Sequence, residues 1–344
     1  MKGIKHLARH LDISIGTVSR ALNGKPDVNP ETRKRVLEAA EELGYVANQS
    51  GRALRQGRTG VIGFMMQTGS EITGQGDTFF MSVFDGVQAV FARHKLDLVA
   101  LLCSSEEDPH DYLRRMVSRG FADGVIISAT RRHDPRIEFL AKRKIPFVTL
   151  GRSLTDAGQS WLDLDFEAMA EASINRLVAQ GHRRIAVTRP HDDINLGYVF
   201  VDKCREAMAR HKLTLDEDCI FRSTPNEAGG YQIARGLLAL KERPTAIVLV
   251  NESIAIGLYR GLQEAGVMPG RDIAVIGRHS PNSNFLSPRL TSFRLSLHDL
   301  GEALAEALLA TMPDYISLYP HGTTRKVWPM ELVSGESDAF TLPR

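Results

Sequence analysis

The spacing of apolar residues changes once along this chain, close to residue 60. Up to that point the period is helical. Ile4, Leu7, Ala8 and Leu11 fall at i, i+3, i+4 and i+7, which predicts a helix of about two turns that Asp12 ends. Ser14 offers a side-chain oxygen to the free amides of a second helix, whose Val18, Ala21 and Leu22 share a face before Asn23 and Gly24 stop it. A third helix is predicted from Asn29 as cap and Pro30 at its first position, with Val36, Leu37, Ala40 and Leu43 apolar and Gly44 as the stop.

From residue 61 the pattern becomes short β-branched runs separated by helical stretches. VIGFMM (61–66), LDLVALL (96–102), GVIIS (124–128), PFVTL (146–150), RIAVT (184–188), AIVLV (246–250) and IAVIG (273–277) predict buried parallel strands, and Phe80–His94 and Phe166–Gln180 predict intervening helices. Such alternation demands a doubly wound α/β sheet, and this many strands divide naturally into two. Ligands of these folds bind beyond the carboxyl ends of the strands, so a cleft between two lobes is the expected site.

Composition adds limits. A chain of 344 residues, 43% apolar and 24% charged, is expected to be a soluble globular protein of two or three domains. No apolar run approaches the ~20 residues of a membrane span. The opening MKGIKHLARHLDIS mixes charged with apolar residues where a secretion signal is continuously apolar, so a cytoplasmic protein without a membrane partner is expected. Cys103, Cys204 and Cys219 lack the close pairing of zinc or redox sites and read as reduced, mostly buried thiols, with neither metal nor cofactor implied. Net charge is only +2, but residues 1–60 hold 11 Lys and Arg against 6 Asp and Glu, whereas the remainder holds 32 against 35. The basic excess therefore lies in the helical module.

Two short helices joined so closely form a helix-turn-helix, whose second helix is free to lie in a DNA major groove. A small bundle serving as an interaction or dimerisation element fits the same periodicity. The residues outside its core, Ser14, Ile15, Gly16, Thr17, Ser19 and Arg20, favour DNA. Short side chains allow close approach, hydroxyls suit phosphate oxygens, and an arginine fork suits the O6/N7 edge of guanine.

The stretch from Ile4 to Met66 resembles the opening of the LacI/GalR family of bacterial transcription repressors, in the run TVSRALN (17–23), in VNPETR (28–33), in LGYVAN (43–48) and in a hinge ending in leucine. The resemblance implies phosphate-contacting and capping roles for Ser14, Thr17, Ser19 and Asn23, and a base-reading role for Arg20. Ile15 and Gly16 take the positions that vary operator choice, and Tyr45 and Asn48 face the DNA backbone. It also implies a hinge helix over 48–54 that includes Arg52, with Leu54 inserted between base pairs in the minor groove. Gly51 stands where the family usually has alanine, which costs a helix about 1 kcal/mol. The implied partners are a palindromic operator in double-stranded DNA, a second copy of the chain as homodimer, and a small effector of carbohydrate type.

The resemblance continues through TFFMSVFDGV (78–87), LVAQGHRRIAV (177–187), PTAIVLVNESIAIGLYRGLQEAGVMPGRDIAVIG (244–277) and SPRLTS (287–292), and implies a periplasmic-binding-protein-like core. The expected organisation is a headpiece over 1–47, a hinge and linker over 48–60, and a two-lobed core over 61–344. Lobe 1 is expected near 61–161 and 290–320, and lobe 2 near 162–289 and 321–338. Candidate pocket residues are Gln67, Phe79, Phe80, Ser128, Arg152, Trp161, Asp163, Asn195, Tyr198, Asn251 and Glu252, aromatic groups for a sugar face and polar groups for its hydroxyls. Phe200 replaces a usual arginine, Gly277-Arg278-His279-Ser280 replaces G-[FY]-D-D, Leu295 stands near a usual glutamine, and Gly335 replaces an arginine.

Enzyme motifs for phosphate, dinucleotide, serine-hydrolase and zinc-protease chemistry do not occur. His191-Asp192-Asp193 and His298-Asp299 are the best acid–base or metal candidates, and both read as exposed surface. No catalytic residue is expected. The competing readings are a sugar-binding protein or sugar enzyme with an N-terminal interaction module, and a regulator that has lost its effector.

Overall fold

The computed structural model describes residues 3–22, 24–45, 58–68, 78–190, 193–320 and 322–339. Of the residues singled out above, Asn23, Asn48, Gly51, Arg52, Leu54, His191 and Asp192 lie outside these. The chain forms two compact units, Met1–Thr59 and Gly60–Arg344.

In the first unit α1 (Ile4–His10), α2 (Ile15–Leu22) and α3 (Pro30–Glu42) enclose a small core of Leu7, Ala8, Val18, Ala21, Val28, Val36, Ala39 and Ala40. Ser14 caps α2 by accepting the Thr17 amide at 3.0 Å, and Asn29 caps α3 by accepting the Glu31 amide at 2.8 Å. Gly24 and Gly44 take left-handed φ values of +65° and +59° just past the ends of α2 and α3. One expectation fails. Leu37 is 50% exposed, because Val36, Ala39, Ala40 and Leu43 already fill the inward stripe and Leu37 lies about 100° around the helix from Val36.

The second unit contains twelve strands among its described residues: β1 (Val61–Gln67), β2 (Asp97–Cys103), β3 (Gly124–Ile127), β4 (Phe147–Leu150), β5 (Ser160–Leu164), β6 (Ile185–Pro190), β7 (Ile220–Ser223), β8 (Ala246–Val248), β9 (Ala274–Arg278), β10 (Thr291–Arg294), β11 (Arg325–Trp328) and β12 (Glu331–Val333). They form two six-stranded sheets, ordered β11-β5-β4-β3-β1-β2 and β12-β10-β9-β8-β6-β7. Every neighbouring pair is parallel except β12 on β10. In the first sheet Phe64 sits between Ala100 and Ile126, and in the second Val187 sits between Ile220 and Val248.

The seven apolar runs expected as strands are β1, β2, β3, β4, β6, β8 and β9. The other five have no counterpart among those runs. β7, β11 and β12 are short edge strands, and β5 and β10 mix polar with apolar residues, so none has a continuous apolar run. They also move the lobe limits. β5 and β11 belong to the first sheet and β10 to the second, so each crossing falls after the strand rather than at 161, 290 or 321.

Helices α4 (Thr78–Arg93), α5 (Pro109–Ser118), α6 (Pro135–Lys142), α7 (Phe166–Ala179), α8 (Asn195–Arg210), α9 (Glu227–Ala239), α10 (Ile254–Glu264) and α11 (Leu297–Leu309) cover the sheets. Two pairs touch backbone to backbone through glycine. A Cβ on Gly86 of α4 would lie 2.0 Å from the His298 carbonyl oxygen of α11, and one on Gly257 of α10 would lie 1.7 Å from that of Glu227 in α9. No described helix is long and apolar enough to cross a membrane. All three cysteines are buried and free of disulfides.

Candidate nucleic-acid interface and ligand cleft

The face of α2 turned away from the headpiece core begins with Ser14, Ile15 and Gly16, all exposed, and continues through Thr17 and Ser19, both half-buried, to the exposed Arg20. Amphipathic spacing puts Val18 and Ala21 inward and leaves this strip outward. Ser14 and Thr17 also share a hydroxyl contact of 2.9 Å. Arg20 Nε stands 3.5 Å from Asp27 Oδ2 beyond the end of the helix. Tyr45 is half-buried against the headpiece core, which limits how much of its ring can face outward. A strip with small groups at its start and one long cation at its end can enter a groove and place a guanidinium on a base edge.

In the second unit a cavity lies where carboxyl ends of strands from both sheets converge, the position the doubly wound topology favours. Ser128 follows β3, Arg152 follows β4 and Asp163 lies in β5; Pro190 ends β6, Asn251 and Glu252 follow β8, and Arg278 ends β9. Phe79 and Phe80 enter from the first turn of α4.

Two arginines, each paired with carboxylates, dominate the polar wall. Arg152 Nε donates to Asp163 Oδ2 at 2.7 Å and its Nη2 to Glu167 Oε2 at 2.6 Å. Burial pushes the Asp163 carboxyl above its ordinary range, and the Arg152 guanidinium pulls against that shift. Burial works against the charge of Arg152, and the carboxylates of Glu167 and Asp163 outweigh it. The second arginine, Arg278, has its Nη1 3.3 Å from Glu252 Oε2, with side chains only 8% and 12% exposed. The Arg278 guanidinium lies over the Phe79 ring at 4.9 Å. Neither Arg278 Nε nor Glu252 Oε2 makes a hydrogen bond.

Seven expected pocket residues therefore line the cavity: Phe79, Phe80, Ser128, Arg152, Asp163, Asn251 and Glu252. Some of their polar atoms are engaged. The Ser128 hydroxyl donates to the Met65 carbonyl at 3.0 Å, and Asn251 Oδ1 accepts the Ser253 amide at 2.9 Å. Four others lie off the cavity wall. Gln67 lines a neighbouring depression with Glu106, Asp108 and Arg131. Trp161 sits beneath Arg152, whose Cζ is 5.7 Å from its ring. Asn195 links the lobes, its backbone amide donating to Thr130 at 2.9 Å and its side-chain amide to the Arg152 carbonyl at 3.0 Å. Tyr198 has the guanidinium groups of Arg132 and Arg189 on its ring, each 4.6 Å away, and donates its hydroxyl to Asp193. Gln67 and Trp161 lie on strands β1 and β5 and Asn195 and Tyr198 on helix α8, and for both kinds of element nearness to a strand end in sequence does not fix which way the side chain turns.

Arg278 is the charged residue of the cavity wall that the sequence marks only as a departure from the family pattern and not as a pocket group, although it ends an apolar parallel strand, where cleft groups are expected. Its neighbour His279 turns to Ser292 instead, Nδ1 to Oγ 3.4 Å. Phe200 is fully buried in the core, and Leu295 packs against that core. Gly335 has a physical reason: a Cβ there would lie 2.3 Å from the Arg289 carbonyl oxygen. His298 and Asp299 sit at the exposed start of α11, where His298 Nε2 is 3.6 Å from Asp85.

Residues 3–48 match the model of bacterial regulatory proteins of the lacI family, and residues 174–337 match that of the periplasmic binding protein-like domain. The HTH-type transcriptional regulator AglR of Rhizobium meliloti (strain 1021) is 32% identical over 336 residues, which span 96% of this chain and 92% of that protein. Catabolite control protein A of Priestia megaterium is 28% identical, over 89% of this chain and 91% of its own. Among solved structures, the lac repressor dimer bound to operator and the anti-inducer ONPF superposes with a TM-score of 0.82 at 19% identity, over 97% of this chain and 98% of that one. The complex of the transcriptional regulator CelR with cellobiose gives 0.72 at 24%, over 98% of this chain and all of the other.

Proposed function

The chain belongs to the lacI family of bacterial regulatory proteins, and on that premise we propose that it is a sequence-specific DNA-binding repressor governed by a sugar or sugar derivative held in the cleft. The observation that carries the DNA-binding half is the outward strip from Ser14 to Arg20 on a helix whose opposite face is wholly committed to the core. Ser14, Thr17 and Ser19 address phosphate oxygens, and Arg20 reads a guanine edge. Ile15 and Gly16 offer no side-chain hydrogen bond, so sequence preference leans on Arg20 and on deformation of the operator centre by Leu54. Asn23, Tyr45, Asn48 and Arg52 extend the backbone contacts. Two copies of the chain related by a two-fold axis match a palindromic operator, one half-site to each headpiece.

The effector half rests on a cavity built jointly by both lobes, with aromatic rings and charged pairs on its wall. A ligand that touches both lobes favours one relative arrangement of them and shifts the population of DNA-competent molecules. Relatives of this fold include a regulator in complex with cellobiose, which supports a carbohydrate here.

Selection of bound duplexes from random sequence tests the reading, with wild type and Arg20→Ala compared. Wild type is expected to return a palindrome with a defined G·C pair that Arg20→Ala loses, at a cost of about 1–3 kcal/mol at that position. Affinity for random duplex DNA with no dependence on salt would remove the DNA-binding reading altogether.

A further inference from the structure

Resting on the reading of the cavity as an effector site, we propose that Arg278 and Glu252 together clamp two hydroxyl groups of an uncharged sugar ring and so select against acidic sugars. Arg278 Nε and Glu252 Oε2 are buried polar atoms of cavity-lining residues and neither has a hydrogen bond; Oε2 has only its ionic contact with Arg278 Nη1 at 3.3 Å. Buried polar atoms of this kind are costly unless a partner arrives. The two make opposite demands: Nε–H needs an acceptor and the carboxylate oxygen needs a donor. A hydroxyl supplies either, so one sugar oxygen accepts from Arg278 while a neighbouring O–H donates to Glu252.

The charge of the cavity wall decides against an acidic ligand. Arg278 is already in ionic contact with Glu252, and Arg152 with both Asp163 and Glu167. Among the described residues no cation on the wall is left over for a carboxylate or phosphate. An anion entering beside Arg278 would have to displace Glu252 or be buried against it, and both are strongly unfavourable. Phe79 fixes the geometry, because its ring covers the guanidinium at 4.9 Å and leaves Arg278 little freedom to swing toward another partner. Since Phe79 comes from the first lobe and Arg278 from the second, the clamp is complete only when the lobes are together. Phe80 and Phe166 supply apolar wall for the C–H face of a ring.

Titration calorimetry on the full chain tests the clamp, using ribose, cellobiose and other neutral mono- and disaccharides beside glucuronic acid and glucose 6-phosphate. At least one neutral sugar is expected to bind, and the acidic probes at least tenfold more weakly. Mono-deoxy analogues of the bound sugar should reveal two hydroxyls each worth about tenfold or more in affinity. In Arg278→Met the analogue lacking the accepting hydroxyl, and in Glu252→Gln the one lacking the donating hydroxyl, should bind as well as the parent sugar. Deoxy penalties that persist undiminished in both variants overturn the clamp while leaving the effector reading in place. So does tighter binding of an acidic probe than of any neutral sugar, a comparison that needs no variant to fold. Failure of every sugar to bind, neutral or acidic, overturns the clamp and the carbohydrate reading together.

Discussion

At the scale of single residues, exposure decides what each group is free to do. Arg20 and Asp27 are 53% and 61% exposed, so their 3.5 Å contact contributes little to stability. Asp27→Asn is expected to tighten operator binding, because it releases the guanidinium and removes a negative charge near phosphates, while stability stays within about 0.5 kcal/mol. Weaker binding in a filter or anisotropy titration would instead assign Asp27 the task of aiming Arg20. His182 is the opposite case. It is fully buried with Nδ1 on Thr245 Oγ1 at 2.8 Å, and burial holds its pKa below the ordinary 6.5. The unfolded chain therefore takes up this proton more readily. The group's contribution to stability is present above about pH 6.5 and is lost as pH falls from there through the depressed folded value. Urea midpoints should drop between about pH 7.5 and 5.5 more steeply in wild type than in His182→Gln, and equal slopes would place the dependence on other groups.

At the scale of elements, glycine sets how closely helices approach. The carbonyl of Glu227 would lie 1.7 Å from a Cβ at position 257, so Gly257→Ala must force α9 and α10 apart. Overpacking of that kind is expected to cost about 1–3 kcal/mol in chemical denaturation of the second unit. Gly16 gives the contrast, with Ser14 Oγ at 3.5 Å as the nearest atom to its notional Cβ and a place inside a helix. Gly16→Ala should raise the stability of the headpiece by up to about 1 kcal/mol, measured by the same method; a loss of stability would contradict the open space around it. Nothing local distinguishes these two glycines. Both sit in helices, and only the element opposite makes one indispensable.

At the scale of the whole molecule, the two compact units carry separate cores, one around Val18 and Val36 and the others in the sheets. Thermal unfolding should therefore depart from two-state behaviour and show a distinct headpiece transition. A sugar that binds the cleft should raise the core transition with its concentration and leave the headpiece transition where it is without DNA. Calorimetry with one merged transition that moves as a unit would contradict this independence.

The sequence by itself determined what depends on neighbours in the chain. The stripes Leu7-Ala8-Leu11 and Val18-Ala21, the caps Ser14 and Asn29 and the seven apolar strand runs were legible, because helix and strand periods and capping are local. So was the outward strip ending in Arg20, which is what remains once the buried stripe is assigned. The cavity was legible only as a place. Strand ends such as Ser128, Asp163 and Asn251 were expected near it, but the short mixed strands β5, β10 and β11 that carry the chain between lobes leave no apolar run to read. Tertiary structure alone turned Asn195 and Tyr198 to the junction between lobes and brought Arg278 beside Glu252 under Phe79. Those contacts join residues tens to hundreds of positions apart, and no periodicity along the chain records which side chains two converging sheets will bring face to face.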